Sequence, residues 1–297
     1  AIALAVLVAA CPCALSLAAP AALSAANDAL ARHGVLVVGQ DALERLAKAN
    51  VALLDKTGTL TTGEPRIEAI QTFDDIVWER ALAVAAALES GSTHPLAAAF
   101  NLPETLPTRN LRTHPGRGVE GVVEGRGYRL GKADFACGGV DDGAVWLGDG
   151  VTALARFVIA ETPRADAASM VAGLRALGMD VSVLSGDGSR AVAALCTTLG
   201  IPLFHARQSP EQKLAELKLR QIQGQRVLML GDGINDAPVL AGADVSVAMG
   251  TGAALAHRAA DVLLLGGRLS RLPEAIALAR RTQRVMRQNL AWAAAYN

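Results

Sequence analysis

The pattern of apolar and polar residues divides this chain into regions with different predicted structures. Short, mainly apolar runs of strand length predict buried strands, and a helical pattern from Ser189 to Leu199 lies between two of them. The runs are found at 51–54, 180–184, 227–230, 244–249 and 261–265. Strands that alternate with helices in this way indicate an α/β fold with a parallel sheet.

Residues 68–158 have another pattern and are interpreted as an insertion in that fold. Trp78 to Leu88 is rich in alanine and predicts a helix, whereas Leu111 to Leu147 predicts short alternating strands separated by glycines. The letters GRGVEG at 116–121 fit a dinucleotide fingerprint. Because strand and turn patterns follow them instead of a helix, the Rossmann interpretation fails.

The two ends of the chain are the most apolar parts. No charged residue occurs from Ala1 to Ala26, and about 20 apolar residues are enough to cross a bilayer. A secretory signal would need a charged start and a shorter apolar run. Since the chain does not begin with Met, we expect a membrane helix already under way at residue 1 and a fragment of a longer membrane protein. At the other end, arginines beside an apolar stretch are typical of the cytoplasmic side of a membrane helix.

Composition narrows the function further. The chain has 297 residues, with 28 Lys and Arg balanced by 28 Asp and Glu, and only 3% aromatic residues. The chain has no excess of basic residues and few aromatic side chains that could stack on bases. Nucleic acid is therefore not an expected partner. Hydrophobic residues make up 52% of the chain, which is high for a soluble enzyme. The four cysteines do not form a disulfide framework in a chain this long.

The heptapeptide DKTGTLT at 55–61 carries the most specific chemistry. Asp55 follows the apolar run 51–54, so its carboxylate is placed at the carboxyl end of a strand, where α/β sheets bind their ligands. Gly58 allows a tight turn behind it. A carboxylate that attacks a phosphoryl group forms a covalent aspartyl-phosphate.

Two later loops add candidate groups for the same chemistry. Ser185 and Asp187 follow the run 180–184, and the octapeptide GDGINDAP at 231–238 contains Asp232 and Asp236. Two carboxylates four residues apart in a glycine-rich loop suit Mg²⁺, which takes oxygen ligands together with waters and a phosphate.

A third motif lies within the apolar start. In Cys11-Pro12-Cys13 the proline opens the helix, and the two thiols are soft ligands for Cu⁺, Zn²⁺ or a similar ion. The alternative interpretation is a pair of buried cysteines in an apolar helix. The position of this motif, some forty residues before DKTGTLT in the sequence, favours the metal site.

Taken together, these motifs resemble those of the heavy-metal P-type ATPases, which belong to the haloacid dehalogenase superfamily. DKTGTLT resembles their phosphorylation motif, GDGINDAP their hinge motif, and CPC their intramembrane metal site. The letters STHPL at 92–96 resemble their nucleotide-domain signature SEHPL, with Thr93 in place of Glu. Tyr296-Asn297 resembles the metal-site pair of copper-transporting members. Thr62-Gly63-Glu64 directly follows DKTGTLT, so it is not interpreted as the dephosphorylating loop of that family.

The resemblance implies a haloacid dehalogenase-like, doubly wound parallel α/β sheet as phosphorylation domain, with an inserted α+β nucleotide-binding domain and flanking partial transmembrane helices. The expected domains are a membrane helix at 1–26, a connector at 27–49, a phosphorylation domain at 50–67 and 159–270, a nucleotide-binding domain at 68–158, and a connector with the start of the next membrane helix at 271–297.

The resemblance also implies the roles of individual residues. The expected catalytic residues are Asp55, Lys56, Thr57, Ser185, Asp187 and Lys213. The expected ATP contacts are Glu89, His94, Gly116 and Gly118. The expected Mg²⁺ ligands are Asp55, Thr57 through its backbone carbonyl, Asp232 and Asp236. The expected ligands of the transported ion, Cu⁺ first, are Cys11, Cys13, Tyr296 and Asn297.

Other functions remain open at this stage. A soluble phosphatase of the superfamily usually has a second Asp two residues after the nucleophile, where this chain has Thr57. A pump for Zn²⁺ or Cd²⁺ also uses CPC, and a nonfunctional or binding-only fragment is a further alternative. The leading interpretation is the core of a copper-exporting P-type ATPase in the plasma (inner) membrane. Its catalytic domains would be cytoplasmic, and its partners would be membrane lipid, ATP and a metal ion delivered by a metallochaperone.

Overall fold

A computed structural model describes residues 13–39, 41–92, 94–232, 236–250 and 260–296. The chain divides into two compact units, one formed by the residues up to Leu60 together with those from Arg164 onward, the other by Thr61–Pro163.

The strands are β1 (Val35–Val37), β2 (Val51–Asp55), β3 (Thr61–Thr72), β4 (Thr108–His114), β5 (Gly118–Val123), β6 (Arg126–Gly131), β7 (Val145–Gly148), β8 (Ala153–Pro163), β9 (Asp180–Leu184), β10 (Leu203–His205), β11 (Val227–Gly231), β12 (Val245–Met249) and β13 (Val262–Leu264). The α-helices of the described residues are α1 (Cys13–Arg32), α2 (Ala42–Lys48), α3 (Trp78–Glu89), α4 (Ala133–Ala136), α5 (Ala167–Ala176), α6 (Ser189–Leu199), α7 (Pro210–Ile222), α8 (Ala237–Gly242) and α9 (Arg271–Tyr296).

The first unit is built on a mainly parallel sheet with the strand order β1-β13-β12-β11-β2-β9-β10. Strand β1 is antiparallel to its neighbour β13, and the other described pairs are parallel. Every residue of β2, β11 and β12 is buried. Continuous apolar strands of this kind are expected where helices cover both faces of a parallel sheet.

Helices lie on both faces of this sheet. One core contains apolar residues of α1, α2, α5, α6 and α9, packed with side chains such as Ala52 and Leu54 of β2. The other face contributes Val51 and Leu53, which pack with Leu217 of α7 and with residues of α8. Alternate residues of one strand therefore enter opposite cores. The prediction of a doubly wound α/β domain is confirmed.

The second unit is an antiparallel sheet with the strand order β3-β8-β7-β6-β5-β4. Helix α3 packs on it through a buried face that includes Ala81, Val84 and Leu88, and the rings of Phe100 and Phe157 meet edge to face at 5.2 Å. The inserted α+β domain is therefore present. The strand β5 follows the GxG sequence directly, which agrees with the rejection of a Rossmann loop.

The insertion is longer at both ends than the sequence suggested. Strands β3 and β8 pair from Thr61 with Pro163 to Thr72 with Ala155. The expected boundaries at 67/68 and 158/159 lie inside these two strands. Pairing with β3 holds Thr162 and Pro163 in an extended conformation, and α5 begins only at Ala167.

Membrane helices were predicted at both ends of the chain, and residues 1–12 of the first one lie outside the described residues. Helix α1 begins at Cys13 and includes Pro20. Within the described ranges, no helix has both the length and the apolar character needed to cross a membrane.

Candidate active site

The candidate site lies at the carboxyl edge of the parallel sheet, where three loops begin side by side. Strand β2 ends at Asp55, which lies opposite Leu184 of β9, and Ser185 follows directly. On the other side of β2, Leu54 pairs with Leu230 of β11, two residues before Asp232. Because neighbouring parallel strands end at one edge, the three loops predicted to carry phosphoryl chemistry are brought together.

The loop after Asp55 is shaped by one glycine. Thr57 is extended, with φ −73° and ψ 127°, and Gly58 has a left-handed φ of +70°. A side chain at Gly58 would be strained, and its Cβ would lie 3.2 Å from Oδ2 of Asp232. Gly58 therefore provides both the turn and the space for the Asp232 carboxylate.

Lys213 joins two of the carboxylates. Its Nζ donates to Oδ1 of Asp55 at 2.7 Å and to Oδ1 of Asp236 at 2.8 Å, and all three side chains are buried. The position of Lys213 is set by the start of α7. There the Ser209 hydroxyl accepts from the Gln212 amide, and the Gln212 side chain accepts from the Ser209 amide.

Burial changes the proton affinity of this group. Burial is the largest cause that raises the pKa of Asp55, repulsion from Asp236 adds to it and Lys213 opposes both, and the resulting pKa is about 8. Burial alone would lower the pKa of Lys213, but attraction to Asp55 and the hydrogen bond to Asp236 outweigh it, so that pKa is above its ordinary value. A second cation beside Asp55 would favour its ionised form. A carboxylate with a strongly perturbed pKa at a strand end is typical of a functional site.

A second ion pair connects the loop after Asp55 with the loop after β9. Nζ of Lys56 lies 2.7 Å from Oδ2 of Asp187, and the Thr57 hydroxyl donates to the same oxygen at 3.4 Å. The Asp187 amide donates to Oγ of Ser185 at 3.2 Å. All six residues predicted to be catalytic are thus linked by contacts into two groups. One group is Asp55 with Lys213, and the other is Lys56, Thr57, Ser185 and Asp187.

Arg164 is a site residue that the sequence analysis missed. Its Nε donates to the carbonyl of Thr59 and its Nη2 to the carbonyl of Gly58, both at 2.9 Å. These bonds fix two peptide planes of the loop after Asp55. The partners are separated by 105 residues or more, so no local pattern pointed to them.

The residues at this edge fit a magnesium ion. Asp55, Asp232 and the Thr57 carbonyl are hard oxygen donors, and Mg²⁺ is commonly held by one or two carboxylates together with phosphate and water. In the described residues no group of three or more His, Cys, Asp or Glu forms a metal site by itself. Asp236 differs from the expectation, since its Oδ1 accepts from Lys213. Its role as a magnesium ligand stays a prediction.

In the second unit, Glu89 lines a cavity of about 230 Å³. Ser92, Asn101 and Thr105 also line it. Oε2 of Glu89 is buried and finds no hydrogen-bond donor among the residues that the structure describes. An unsatisfied buried acceptor is costly, and a ligand with a donor group would remove that cost.

The other predicted nucleotide contacts have structural roles of their own. Nδ1 of His94 accepts from the Leu96 amide at 3.2 Å and caps the short turn that follows. Gly118 faces Gly131 across β5 and β6, and a Cβ at Gly118 would lie 2.1 Å from the Leu130 carbonyl. Gly116 has φ +73°. Contacts of His94, Gly116 and Gly118 with ATP stay predictions.

Comparisons with known proteins agree with this geometry. Residues 49–244 match the family model of haloacid dehalogenase-like hydrolases. A probable copper-exporting P-type ATPase V of Mycobacterium tuberculosis is 37% identical over 99% of this chain and 41% of its own length. The chain belongs to the heavy-metal P-type ATPases, within the haloacid dehalogenase-like hydrolases.

Solved structures of P-type ATPases support the same family. A zinc-transporting PIB-type ATPase in the E2.Pi state matches with a TM-score of 0.82 and 36% identity over 96% of this chain and 50% of that one. The catalytic domain of the CPx-ATPase CopB-B, described for its conformational changes upon nucleotide binding, matches with a TM-score of 0.73 and 28% identity. That match covers 84% of this chain and 98% of the domain. The chain spans about two fifths of the curated relatives that it matches, 41% in the mycobacterial one.

The residues predicted to bind a transported metal lie at the two ends of this P-type ATPase chain. Cys11 and Asn297 lie outside the described residues, and so do the side chains of Cys13 and Tyr296. The binding of a transported metal by these four residues stays a prediction.

Proposed function

We propose that the protein containing this chain uses ATP to move a soft metal ion, most specifically Cu⁺, across a membrane through an aspartyl-phosphate on Asp55. The observation that carries the proposal is the placement of Asp55. Its carboxylate ends a buried central strand, is bound by Lys213 at 2.7 Å, and lies beside two loops suited to phosphate and magnesium.

The phosphorylation step follows from these groups. A carboxylate oxygen of Asp55 attacks the γ-phosphorus in line, the bond to the bridging oxygen breaks, and ADP leaves with that electron pair. Lys213 and the Ser185 hydroxyl stabilise the charge on the transferred group. Asp55, Asp232 and the Thr57 carbonyl would hold a Mg²⁺ ion, which would supply positive charge beside the phosphoryl oxygens.

The residue at position 57 supports a pump over a phosphatase. A phosphatase needs an acid–base group near the nucleophile to activate water, and Thr57 has a hydroxyl that donates to Asp187. Water attack on the phosphoenzyme is therefore slow without help from elsewhere in the protein. A long-lived phosphoenzyme is what coupling to transport requires.

The second unit is proposed to bind ATP. The buried Oε2 of Glu89 in its cavity can accept from a base amino group, and His94, Gly116 and Gly118 are the further proposed contacts.

The proposed metal site combines Cys11 and Cys13 with Tyr296 and Asn297. Two thiolates at low coordination suit Cu⁺, whereas Zn²⁺ usually takes four ligands. The mycobacterial relative is named for copper and the solved neighbour for zinc, so a Zn²⁺ or Cd²⁺ pump is the second candidate. The proposal includes membrane lipid around the terminal helices, catalytic units in the cytoplasm, and delivery of the ion by a metallochaperone.

The phosphoenzyme is tested by labelling with γ-labelled ATP. Asp55→Asn should abolish an acid-stable, hydroxylamine-sensitive label, since the amide is not a nucleophile. Asp180→Asn is the matched control, because Asp180 is exposed at the opposite end of the neighbouring strand β9. A label that survives in Asp55→Asn would show that another residue is phosphorylated.

The ion is tested in the full-length parent protein. Cu⁺ should stimulate ATP turnover, and Cys11→Ser or Cys13→Ser should eliminate that stimulation while phosphorylation by inorganic phosphate persists. Tyr296→Phe should weaken Cu⁺ binding less than either cysteine change, because an uncharged tyrosine is a poorer ligand. Stimulation by Zn²⁺ and not by Cu⁺ would overturn the copper assignment.

A further inference from the structure

Helix α9 is attached to the first unit along its first half. Leu272, Ala275, Ile276 and Ala279 are buried at helical spacing and join the core that contains Leu54 of β2. Farther along, apolar side chains are exposed, such as Trp292 at 76%. The buried stripe of α9 therefore ends at Thr282, and beyond it Met286 and Leu290 line a cavity together with Leu23 of α1.

Arg280, at the end of the buried stripe, makes directional contacts with two helix ends that lead into the sheet. Its guanidinium donates to three backbone carbonyls, Ala47 at 3.3 Å, Ala49 at 2.9 Å and Leu177 at 2.5 Å. Ala47 and Ala49 belong to the end of α2, and Leu177 caps the end of α5. Carbonyls at helix ends lack intrahelical partners and carry partial negative charge, which a planar arginine fork matches.

These carbonyls stand at the starts of the two strands that carry the candidate site. Only Asn50 separates Ala49 from β2, and two residues separate Leu177 from β9. The Asp180 amide donates to the Asn50 carbonyl at 3.0 Å, so the two strand starts are also bonded to each other. One arginine of α9 thus holds both strands at the edge opposite Asp55 and Ser185.

Strands β2 and β9 can transmit a displacement along their length. Strand β2 is hydrogen-bonded on both sides, to β11 and β9, and all five of its residues are buried. Five residues of strand span roughly 17 Å. Because the hydrophobic effect is non-directional, apolar packing alone would allow α9 to rotate or slide relative to the two strands. The three bonds of Arg280 fix the rotation and register of α9 relative to both strands.

We propose that Arg280 is a positioning residue that couples the position of α9 to the phosphorylation site. The inference rests on the proposed function, in which metal binding near the terminal helices must change the reactivity of Asp55. When α9 shifts, the fork moves the starts of β2 and β9 together, and Asp55 and Ser185 move with them.

The test compares two phosphorylation reactions in the full-length parent protein. Arg280→Gln removes the fork, and we expect metal-stimulated phosphorylation by ATP to fall about tenfold or more, a typical coupling size. Phosphorylation by inorganic phosphate without metal should stay close to the unmodified level, because Asp55, Lys213 and Ser185 are unchanged. Arg280→Lys keeps the charge with fewer directed donors and should give an intermediate loss.

Arg281→Gln is the matched control, since Arg281 is the next residue of α9 and is exposed. It should leave both reactions unchanged. The proposal is overturned if Arg280→Gln keeps normal metal stimulation, if both reactions fall in parallel as in simple destabilisation, or if Arg281→Gln has the same effect. Absence of any phosphoenzyme in the unmodified protein would instead refute the proposed function, and that result is obtained before any variant is made.

Discussion

At the scale of single residues, the site depends on how one buried ammonium compensates two buried carboxylates. Lys213 lies within 2.8 Å of both Asp55 and Asp236, and each of the three side chains is less than a tenth exposed. Removing one partner of a buried ion group is far more costly than removing a surface pair, because an unpaired charge remains in a region of low dielectric.

Lys213→Met should therefore destabilise the protein by about 3–5 kcal/mol and strongly slow phosphorylation. Urea unfolding followed by circular dichroism measures the first effect, and label incorporation from ATP the second. Adding Asp236→Asn should restore part of the stability, because it removes a buried carboxylate that Lys213 no longer pairs. If the double variant were as unstable as the sum of both single changes, Lys213 and Asp236 would not be coupled.

A second prediction at this scale concerns pH. Asp244 accepts from the Val227 amide at 2.9 Å and from the side chains of Gln221 and Arg226. Burial opposes ionisation, but these bonds outweigh it and hold the pKa of Asp244 below its ordinary 3.8. A lowered carboxyl pKa contributes stability above the ordinary value, and that contribution is lost as pH falls through the folded value.

Asp244→Asn should cost about 1–3 kcal/mol at pH 7, and the difference from the unmodified protein should shrink as pH falls toward 3. Urea unfolding at pH 7, 5 and 3.5 measures it. Asp180→Asn, at an exposed position, is the control and should change stability little at any of these values. A difference that grows on acidification would contradict the assigned direction of the pKa shift.

At the scale of elements, the approach of β5 to β6 is limited by a glycine pair. A Cβ at Gly118 would lie 2.1 Å from the Leu130 carbonyl, and its φ of +154° is unfavourable for other residues. Gly127, on the paired strand β6, has no atom within 4 Å of a built Cβ and no positive φ.

Gly118→Ala should lower the melting temperature of the chain, because the strands must separate, whereas Gly127→Ala should be close to neutral. Thermal unfolding followed by circular dichroism compares the two. Equal effects would show that the close approach at Gly118 relaxes without cost. Thermal unfolding measures the structural requirement for Gly118. Its proposed contact with ATP is measured separately, by equilibrium binding of the nucleotide.

At the scale of the whole molecule, the chain crosses between its two units at neighbouring points. Thr61 pairs with Pro163, and the Arg164 amide donates to the Leu60 carbonyl at 2.9 Å. The second unit also has its own core, which includes Leu88, Leu130 and Phe157. A unit with adjacent ends and its own core is expected to fold alone.

Residues 61–163 produced separately should fold cooperatively and bind ATP, as judged by thermal unfolding and calorimetry. The matched fragment is 68–158, which follows the boundaries expected from sequence and shortens both β3 and β8. It should be less stable, because the paired long strands β3 and β8 at one edge of the sheet lose their ends. If fragment 68–158 were as stable as fragment 61–163, the ends of β3 and β8 would not contribute to the stability of the second unit.

Much of the site was predictable because most of its residues belong to short contiguous motifs that directly follow strands. The strand 180–184 and the helix Ser189–Leu199 were predicted with the bounds that the structure has, and the apolar runs around Asp55 and Asp232 became neighbouring strands. Periodicity and glycine positions are local, so they are visible without knowledge of the fold.

The sequence by itself thus determined the α/β architecture, the inserted unit, and the residues placed at the edge of the sheet. Only the tertiary structure decided which of them touch. Asp236 meets Lys213, Arg164 reaches the carbonyls of Gly58 and Thr59 across more than a hundred residues, and Arg280 bonds the starts of β2 and β9. The physical reason is that such partners are chosen by strand order and helix packing. Those are long-range outcomes of burying two apolar faces, and no spacing along the chain encodes them.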